Sequence, residues 1–490
     1  MANSRWRLVL SVVGVLCLLG VGLWQRWPLV QSADCLDSDA AVTLLMGRHF
    51  ALGEWTWFYW GQHYMGSLEP ALLAPLCRIG LDTPAVACGL ALALVLVQTL
   101  LAARLCKQLG GDPWSAALFL ATPSAITAIW TSRLYGGRLV ATALGTLALC
   151  LLLGKPLRRG AVVLAALALG IACYGDLLML LWVIPLGVYL YHRRLGARTF
   201  GTVMVSCLVL TVLLMAACGG SESRLHKLSA LMKLYLTNLR FLVTDALPLL
   251  LGYDFLSKAA GTEQTMSWSA FSVLSALALV GVLWSIWKLP KSAEIRLLLA
   301  IPVLFLLAFP LKGIDITCIR YLLPALPTVA VLLGLAVQTW PRMSRCLMCL
   351  LMIPPIYSMR MSQMSPQGRV AAAECRRDTA ALGQAMQQSG ARALWTDYWD
   401  GYRFAALLRE PWPVALVSGL DRRADWNLAA QRQSPVAYLL RPQSSAVGPV
   451  HSAIKQRLLQ QGARRIDLAS QDTELWLTSS ALTGLAPFVY

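Results

Sequence analysis

Charged side chains are scarce in this sequence. Asp, Glu, Lys and Arg make up 13% of the 490 residues, against 57% hydrophobic residues and a mean hydropathy of +0.61. A soluble domain carries about 25% charged residues, so this chain lacks the polar groups to cover a water-facing surface. Basic runs interleaved with aromatics are also missing, so the net charge of +18 does not point to nucleic acid. No Cys/His set has zinc spacing, which removes the usual sign of a small metal domain. There is no internal repeat, no low-complexity tract and no evident inverted repeat of the kind found in many transporters. Most of the 13 cysteines, among them Cys17, Cys88, Cys150, Cys173 and Cys207, lie inside apolar blocks, where a thiol behaves as a small hydrophobe. Cys346 and Cys349 have CxxC spacing but sit in an apolar span, which reads as packing.

What the sequence has instead is long apolar blocks, and a helix needs about 20 such residues to cross a bilayer. Arg5 and Arg7 precede the first, at 8–24. A signal peptide would fit this start; an uncleaved first helix fits better, because more spans follow, and both put the N-terminus in the cytoplasm. Further blocks lie at 84–105, 114–130, 138–154, 161–175, 177–191, 200–218, 268–287, 296–311, 321–339 and 346–358. With sides alternated, the cytoplasmic connections hold Arg104 and Lys107; Lys155, Arg158 and Arg159; Arg193, Arg194 and Arg198; Lys288, Lys291 and Arg296; and Arg342 and Arg345. All five obey the positive-inside rule. The expected architecture is an all-α polytopic membrane protein of about eleven transmembrane helices, with a small C-terminal extracytoplasmic α/β domain.

The membrane module takes residues 1–358, with a first outer loop at 25–83 and a second at 219–267. In the second, Leu225 to Leu251 mixes Lys227, Lys233 and Arg240 with Leu, Tyr and Phe, the pattern of an interfacial helix. Residues 359–490 form the accessory domain. Strand-like runs at 391–398, 413–419 and 435–440 alternate with helical runs at 369–388 and 451–462. It has no nucleophile elbow, Gly-rich phosphate loop or metal cluster.

The first outer loop carries most of the chemistry. Asp37 and Asp39 open a helical run from Ala40 to Leu52. They read either as a helix cap with a first-turn acid or as paired carboxylates that supply a general base or hold a divalent cation, Mg or Mn. Arg48 and His49 follow on that helix, and His49 is either an interfacial side chain or part of a site. The stretch "WTWFYWGQHYMGSLEP" sets aromatics around Gln62, His63, Tyr64 and Glu69. This is an aromatic belt at an interface, or a sugar-binding surface with ring faces to stack on and polar edges to hydrogen-bond. Gly61 and Gly66 would let backbone approach a ligand closely. Further ionisable groups collect at the outer ends of spans: Arg133, Tyr135 and Arg138, Asp176, and Lys312, Asp315, Arg320 and Tyr321. Arg133 and Arg138 could snorkel to headgroups. Arg320 opens a Pro-broken helix on the same side as Asp39, which favours function.

These residues resemble the GT-C glycosyltransferases, in the bacterial branch related to protein O-mannosyltransferases and the aminoarabinose transferase of lipid A. Asp39 and Gly53 match an acid soon after the first span followed by a helix ending in Gly. "GQHYMGSLEPALLAPL" is similar to the loop that follows, "RYLLPALP" at 320–327 to the start of a late helix, and "YGDLLMLLWVIPL" at 174–186 is a weaker match. The likeness covers roughly residues 1–340 in layout, and it departs where Ala40 stands for the common Glu.

The resemblance implies a donor sugar on polyprenyl phosphate, presented on the outer face of a bacterial inner membrane. Asp39 would deprotonate or orient an acceptor hydroxyl, which attacks with inversion. Arg320, Tyr321, Lys312, Arg138 and Arg133 would then hold the phosphate, and Gln62, His63, Tyr64, Glu69 and His49 the sugar or acceptor. The acceptor would be a glycolipid, a polysaccharide or a protein. Two rival readings are a transporter or flippase of a lipid-linked saccharide and a non-catalytic assembly protein. A transporter would carry polar residues in mid-span, whereas the spans here are nearly clean. Cys35, Cys318 and Cys375 all fall outside, where a disulfide among them is chemically allowed.

Overall fold

A computed structural model describes residues 2–62, 64–153, 158–193, 196–217, 228–252, 280–281, 283–311, 316–339, 350, 352–356, 366–410, 412–419, 421–441, 448–466, 468 and 473–482. The chain divides into two compact units. One holds Met1–Val30, Gly89–Arg133 and Gly137–Ser365; the other holds Gln31–Cys88, Leu134–Gly136 and Pro366–Tyr490. They are called the helical unit and the loop–sheet unit below.

Packed helices make up the helical unit. Its chain is that of a multi-pass membrane protein, rich in apolar helices. Four helices among the described residues are long and apolar enough to cross a bilayer: Pro84–Gln108, Ala197–Leu214, Ala293–Leu311 and Thr317–Thr339. Arg138–Leu152, Arg159–Gly175 and Leu177–Arg193 are apolar but shorter. Many outward side chains are apolar, including Leu164, Ile171, Val209, Leu213 and Leu307, as a lipid-facing surface requires. Small residues let the helices approach closely. A Cβ at Gly137 would lie 2.5 Å from the Gly175 carbonyl oxygen, so the start of one helix rests on the end of the next.

The block expected at 114–130 differs from a single span. It is two short helices, Pro113–Ala121 and Ala125–Thr131. Pro123 disfavours helical backbone at Thr122, and Ser124 then caps the second helix by accepting from Thr127 N at 3.3 Å. Of the interfacial pattern expected over Leu225 to Leu251, residues 225–227 lie outside the described residues, and the rest is a helix over Leu228–Phe241, a π-helical turn over Leu242–Ala246 and a last turn ending at Leu251. The expected spans at 268–287 and 346–358 lie mostly outside the described residues.

In the loop–sheet unit the expected α/β alternation is present. Five strands, β1 (Ala393–Asp397), β2 (Val414–Ser418), β3 (Val436–Leu440), β4 (Arg464–Ile466) and β5 (Glu474–Thr478), pair in the order β2-β1-β3-β5-β4. The first three are parallel, and β5 and β4 run antiparallel at one edge. Every residue of β1, β2 and β3 is buried, the signature of strands covered on both faces. Helices Tyr398–Leu408 and Ala424–Gln431 make the crossovers, and Pro366–Ser389 and Gly448–Gln460 match the expected helical runs. The same unit includes the first-loop helices Ser38–Ala51 and Leu68–Arg78.

Candidate functional site

Asp37 is the N-cap of the helix Ser38–Ala51, and its carboxylate accepts from Ala40 N at 2.8 Å. Of the two readings of this residue in sequence, the helix cap is the one this oxygen makes. The other oxygen accepts from the Tyr135 hydroxyl at 2.7 Å. Asp39 lies two residues on and is held differently. Its Oδ1 accepts from the Tyr398 hydroxyl and from Arg422 Nη2, the latter at 2.8 Å. The Tyr59 hydroxyl donates to its backbone carbonyl. Ser38 fastens the helix start by donating to the Tyr398 and Trp399 carbonyls at 2.6 and 2.7 Å.

Arg422 is the hub of this arrangement. Its side chain is 2% exposed. It donates to the Tyr398 hydroxyl through Nε and Nη2 and to the Trp60 carbonyl through Nη1, and it lies over the Tyr59 and Tyr398 rings. Burial opposes its charge, but Tyr398 and Asp39 outweigh that and raise its proton affinity. Burial likewise pushes the Tyr398 phenol well above its ordinary range, so it acts as a donor. Gln62, with its amide oxygen turned inward, accepts from Arg422 Nη2 and Nη1 at 2.9 and 3.0 Å. Gly61 admits this side chain, since a Cβ there would meet Arg422 Cγ at 3.0 Å. The close approach expected at Gly61 is present, and the group approaching is a protein side chain.

Other first-loop residues go elsewhere. Glu69 is fully buried and accepts from Tyr135 N at 2.6 Å, while its own N–H donates to the Gly136 carbonyl. That holds the strip Leu134–Gly136 and the Tyr135 hydroxyl against Asp37. His49 bridges two carboxylates, Glu54 through Nδ1 and Glu410 through Nε2 at 2.8 Å, beside the Trp60 and Trp426 rings. Tyr64 is exposed. His63 lies outside the described residues, as does Lys312.

Asp37 and Asp39 do not make a donor set for a divalent cation. Their carboxylates are turned to separate partners, and the guanidinium on Asp39 would repel a second positive charge. No group of three or more His, Cys, Asp or Glu side chains stands together as metal ligands among the described residues.

A second cluster belongs to the helical unit. Arg138, the first residue of its helix, is buried and donates through Nε to Asp176 at 2.9 Å. Its Nη1 is buried without a hydrogen-bond partner among the described residues. Asp176 is fixed as a cap on Leu178 N at 3.0 Å. The Arg138 guanidinium lies 5.0 Å from the Tyr321 ring centre, and Arg320 lies 5.1 Å from the Trp130 ring and 5.6 Å from the Tyr321 ring. Arg138, Arg320 and Tyr321 thus stand close together. Arg133 is half-buried just past the helix Ala125–Thr131.

Arg138 and Arg26 line a cavity of about 220 Å³ whose remaining walls are mainly apolar, including Leu247, Leu283, Phe305, Leu322 and Leu326, with Gln98 and several Thr and Ser side chains among them. A larger cavity of about 760 Å³ lies among Leu23, Leu92, Leu96 and Trp114, with Arg26, Arg104 and Lys107 in its walls. It holds none of the expected site residues.

Tyr398, Arg422, Tyr59 and Tyr135 are partners of Asp39 and Asp37 that sequence reasoning does not single out as such. The only hint is position: Tyr398 directly follows β1, where the chain leaves a parallel strand at its carboxyl end, a common place for site residues.

No family profile matches the sequence, and no curated protein matches it. Solved structures do match in fold. ArnT from Cupriavidus metallidurans bound to undecaprenyl phosphate superposes with a TM-score of 0.57 and 13% identity, covering 97% of this chain and 98% of that one. Its apo state gives 0.56 and 14%, with the same coverage. The archaeal oligosaccharyltransferase AglB from Archaeoglobus fulgidus, in complex with an inhibitory peptide and a dolichol-phosphate, gives 0.51 and 10% over 98% of this chain and 74% of that one.

Proposed function

Because this chain has the fold of the GT-C membrane glycosyltransferases, we propose that it moves a sugar from a polyprenyl-phosphate donor to an acceptor hydroxyl. The observation that carries the reading is the mainly apolar cavity with Arg138 and Arg26 in its wall. A polyprenyl chain needs an apolar slot inside the protein, and its phosphate needs a cation that water does not screen. Arg138 keeps one buried N–H donor without a partner among the described residues, which a phosphate oxygen would satisfy. Arg320, Tyr321, Arg133 and Lys312 are assigned to the same phosphate. The ArnT and AglB neighbours with bound undecaprenyl phosphate and dolichol-phosphate support this choice of ligand class.

In the proposed reaction the acceptor oxygen attacks the anomeric carbon from the face opposite the phosphate. The carbon–oxygen bond to phosphate breaks, and polyprenyl phosphate leaves with the electron pair. The configuration inverts. Asp39 orients the hydroxyl and takes its proton late, as the new bond forms, because a carboxylate is a far weaker base than an alkoxide. Phosphate is a stable leaving group, so arginine charge matters more than acid catalysis. Glycolipid, polysaccharide and protein hydroxyls all meet the acceptor chemistry. Gln62, His63, Tyr64, Glu69 and His49 belong to the proposed acceptor side either as contacts or, for the buried ones, as its scaffold. We place the enzyme in a bacterial inner membrane with about eleven spans and with Asp39 and residues 359–490 outside.

The test is sugar transfer in membranes supplied with a panel of polyprenyl-phosphate sugars. The wild type is expected to use at least one donor, and Asp39→Asn, which keeps the shape, to lose at least about 100-fold in rate. Full activity in Asp39→Asn removes the base assignment. No transfer from any donor by the wild type removes the function.

A further inference from the structure

In the loop–sheet unit the stretch that follows the first helix runs along the helix Pro366–Ser389. Two contacts fix this pairing. The Cys375 thiol donates to the Asp34 carbonyl at 3.6 Å, and Arg376 Nη1 donates to the Gln31 carbonyl at 3.2 Å. Cys35 directly follows Asp34, so its side chain starts one residue from the Cys375 contact, and Cys35 is the neighbour that most lowers the proton affinity of Cys375. Both cysteines are half-buried, so a small reagent can reach them, whereas Cys318 is packed in the core of the helical unit.

We propose that Cys35 and Cys375 form a disulfide in the mature protein, closed by a disulfide-carrying thiol oxidant on the outer side of the membrane. The outward placement rests on the orientation proposed above; the pairing rests on the contacts alone. Cys375 is the attacking thiol. Its neighbour Cys35 lowers its pKa to about 7, with burial opposing and the Arg403 charge assisting, so it carries substantial thiolate near neutral pH. The thiolate attacks the oxidant's disulfide and displaces one of its sulfurs as a thiolate. Deprotonated Cys35 then attacks the Cys375 sulfur and displaces the other. Two protons and two electrons leave the protein, and the oxidant's disulfide becomes a dithiol.

The bond would join residues roughly 340 apart, and so constrain the unfolded chain strongly. It would also sit two residues before Asp37, tying the start of the helix that carries Asp39 to the domain that supplies Tyr398 and Arg422.

The experiment is extraction of the full-length protein from membranes with N-ethylmaleimide present, digestion without reduction, and mass spectrometry. A Cys35–Cys375 linked peptide in most of the population is expected, with none in Cys35→Ser or Cys375→Ser. Both cysteines carrying the maleimide overturns the proposal. Treating purified, reduced protein with glutathione disulfide at pH 8 then identifies the cause. A link formed in solution means that the proposed orientation failed; no link means that the pairing itself failed. Dithiothreitol should lower the wild-type Tm by about 5 °C and leave that of the double Ser variant unchanged; an unchanged wild-type Tm also counts against the bond. Linked protein that transfers no sugar from any donor leaves the disulfide standing and removes the glycosyltransferase reading.

Discussion

Arg422 is a buried guanidinium whose charge is answered by one carboxylate, and that carboxylate is the proposed reacting group. Removing one partner of a buried pair leaves the other stranded, which costs about 3–5 kcal/mol. Arg422→Ala should therefore lose several degrees of Tm and nearly all transfer. Tyr398→Phe deletes one donor to Asp39 but keeps the ion pair, so it should cost about 1–2 kcal/mol and leave measurable activity. Thermal unfolding in detergent beside transfer rates checks both. Equal stability in Arg422→Ala and wild type would mean that the pair does not hold this unit together. His49 gives a pH signature at the same scale. Burial lowers its proton affinity, but the hydrogen bonds its ring donates to Glu410 and Glu54 outweigh that, and the net pKa is raised above 6.5. The folded state thus binds the proton more tightly than the unfolded state. The stabilisation is complete below pH 6.5 and is lost as pH rises through the raised value. Wild-type Tm should fall over that window, and His49→Gln should flatten the change; parallel curves for the two proteins would assign the slope to another group.

Elements explain how those residues come to meet. The helix Ser38–Ala51 ends with Gly53 at φ +94, its N–H donating to the Phe50 carbonyl and the next N–H, from Glu54, donating to the His49 carbonyl. That is a Schellman turn, which favours glycine because other side chains are strained at positive φ. It also returns the chain so that the Glu54 carboxylate reaches His49. Gly53→Ala should cost about 1 kcal/mol and weaken the His49 pH response, both readable in the same Tm–pH series. This helix is legible in sequence, because an Asx cap, an apolar run and a terminal glycine are local signals. The three buried parallel strands are legible too, as short apolar runs between turns. The partners of Asp39 are not, since Tyr398 and Arg422 lie 359 and 383 residues away and nothing local marks them. Nor is the turn of Glu69 into the interior, because an acid in an aromatic loop looks like a surface group until Tyr135 N is found against it. Close packing is hidden for a related reason. Gly137 touches Gly175 backbone to backbone, and such contacts leave only two small residues in the sequence. Gly137→Ala should push the two helix ends apart and disturb the Arg138–Asp176 pair beside it. A raised KM for the donor with kcat less affected is the expected kinetic result.

Over the whole molecule, the number of crossings decides which side every later loop occupies. The helices Arg159–Gly175 and Leu177–Arg193 have at most 17 residues each, about 25 Å at 1.5 Å per residue, against a hydrocarbon core of about 30 Å. They are consecutive, so reading the pair as one hairpin that dips into the bilayer, rather than as two crossings, changes the count by two and moves no loop to the other face. The broken pair Pro113–Ala121 and Ala125–Thr131 is different. It occupies one block, and if it fails to cross, every later loop changes side. Charge argues that it does cross. With it counted, the basic groups at Lys155–Arg159, at Arg193–Arg198 and at Lys288–Arg296 all fall in the cytoplasm, together with Arg104 and Lys107. Without it, Arg104 and Lys107 stay inside while the three later clusters fall outside. Reporter fusions ending after Lys107, after Arg198 and after Arg296 should therefore all report the cytoplasm, and one ending after Gly390 should report the far side. If the fusion after Lys107 reports the cytoplasm while those after Arg198 and Arg296 report the far side, the broken block does not cross. Residues 366–490 and the loop carrying Asp39 would then face opposite compartments, which their packing into one unit forbids. The same four fusions thus test the topology and the unity of the Asp39, Tyr398 and Arg422 cluster together.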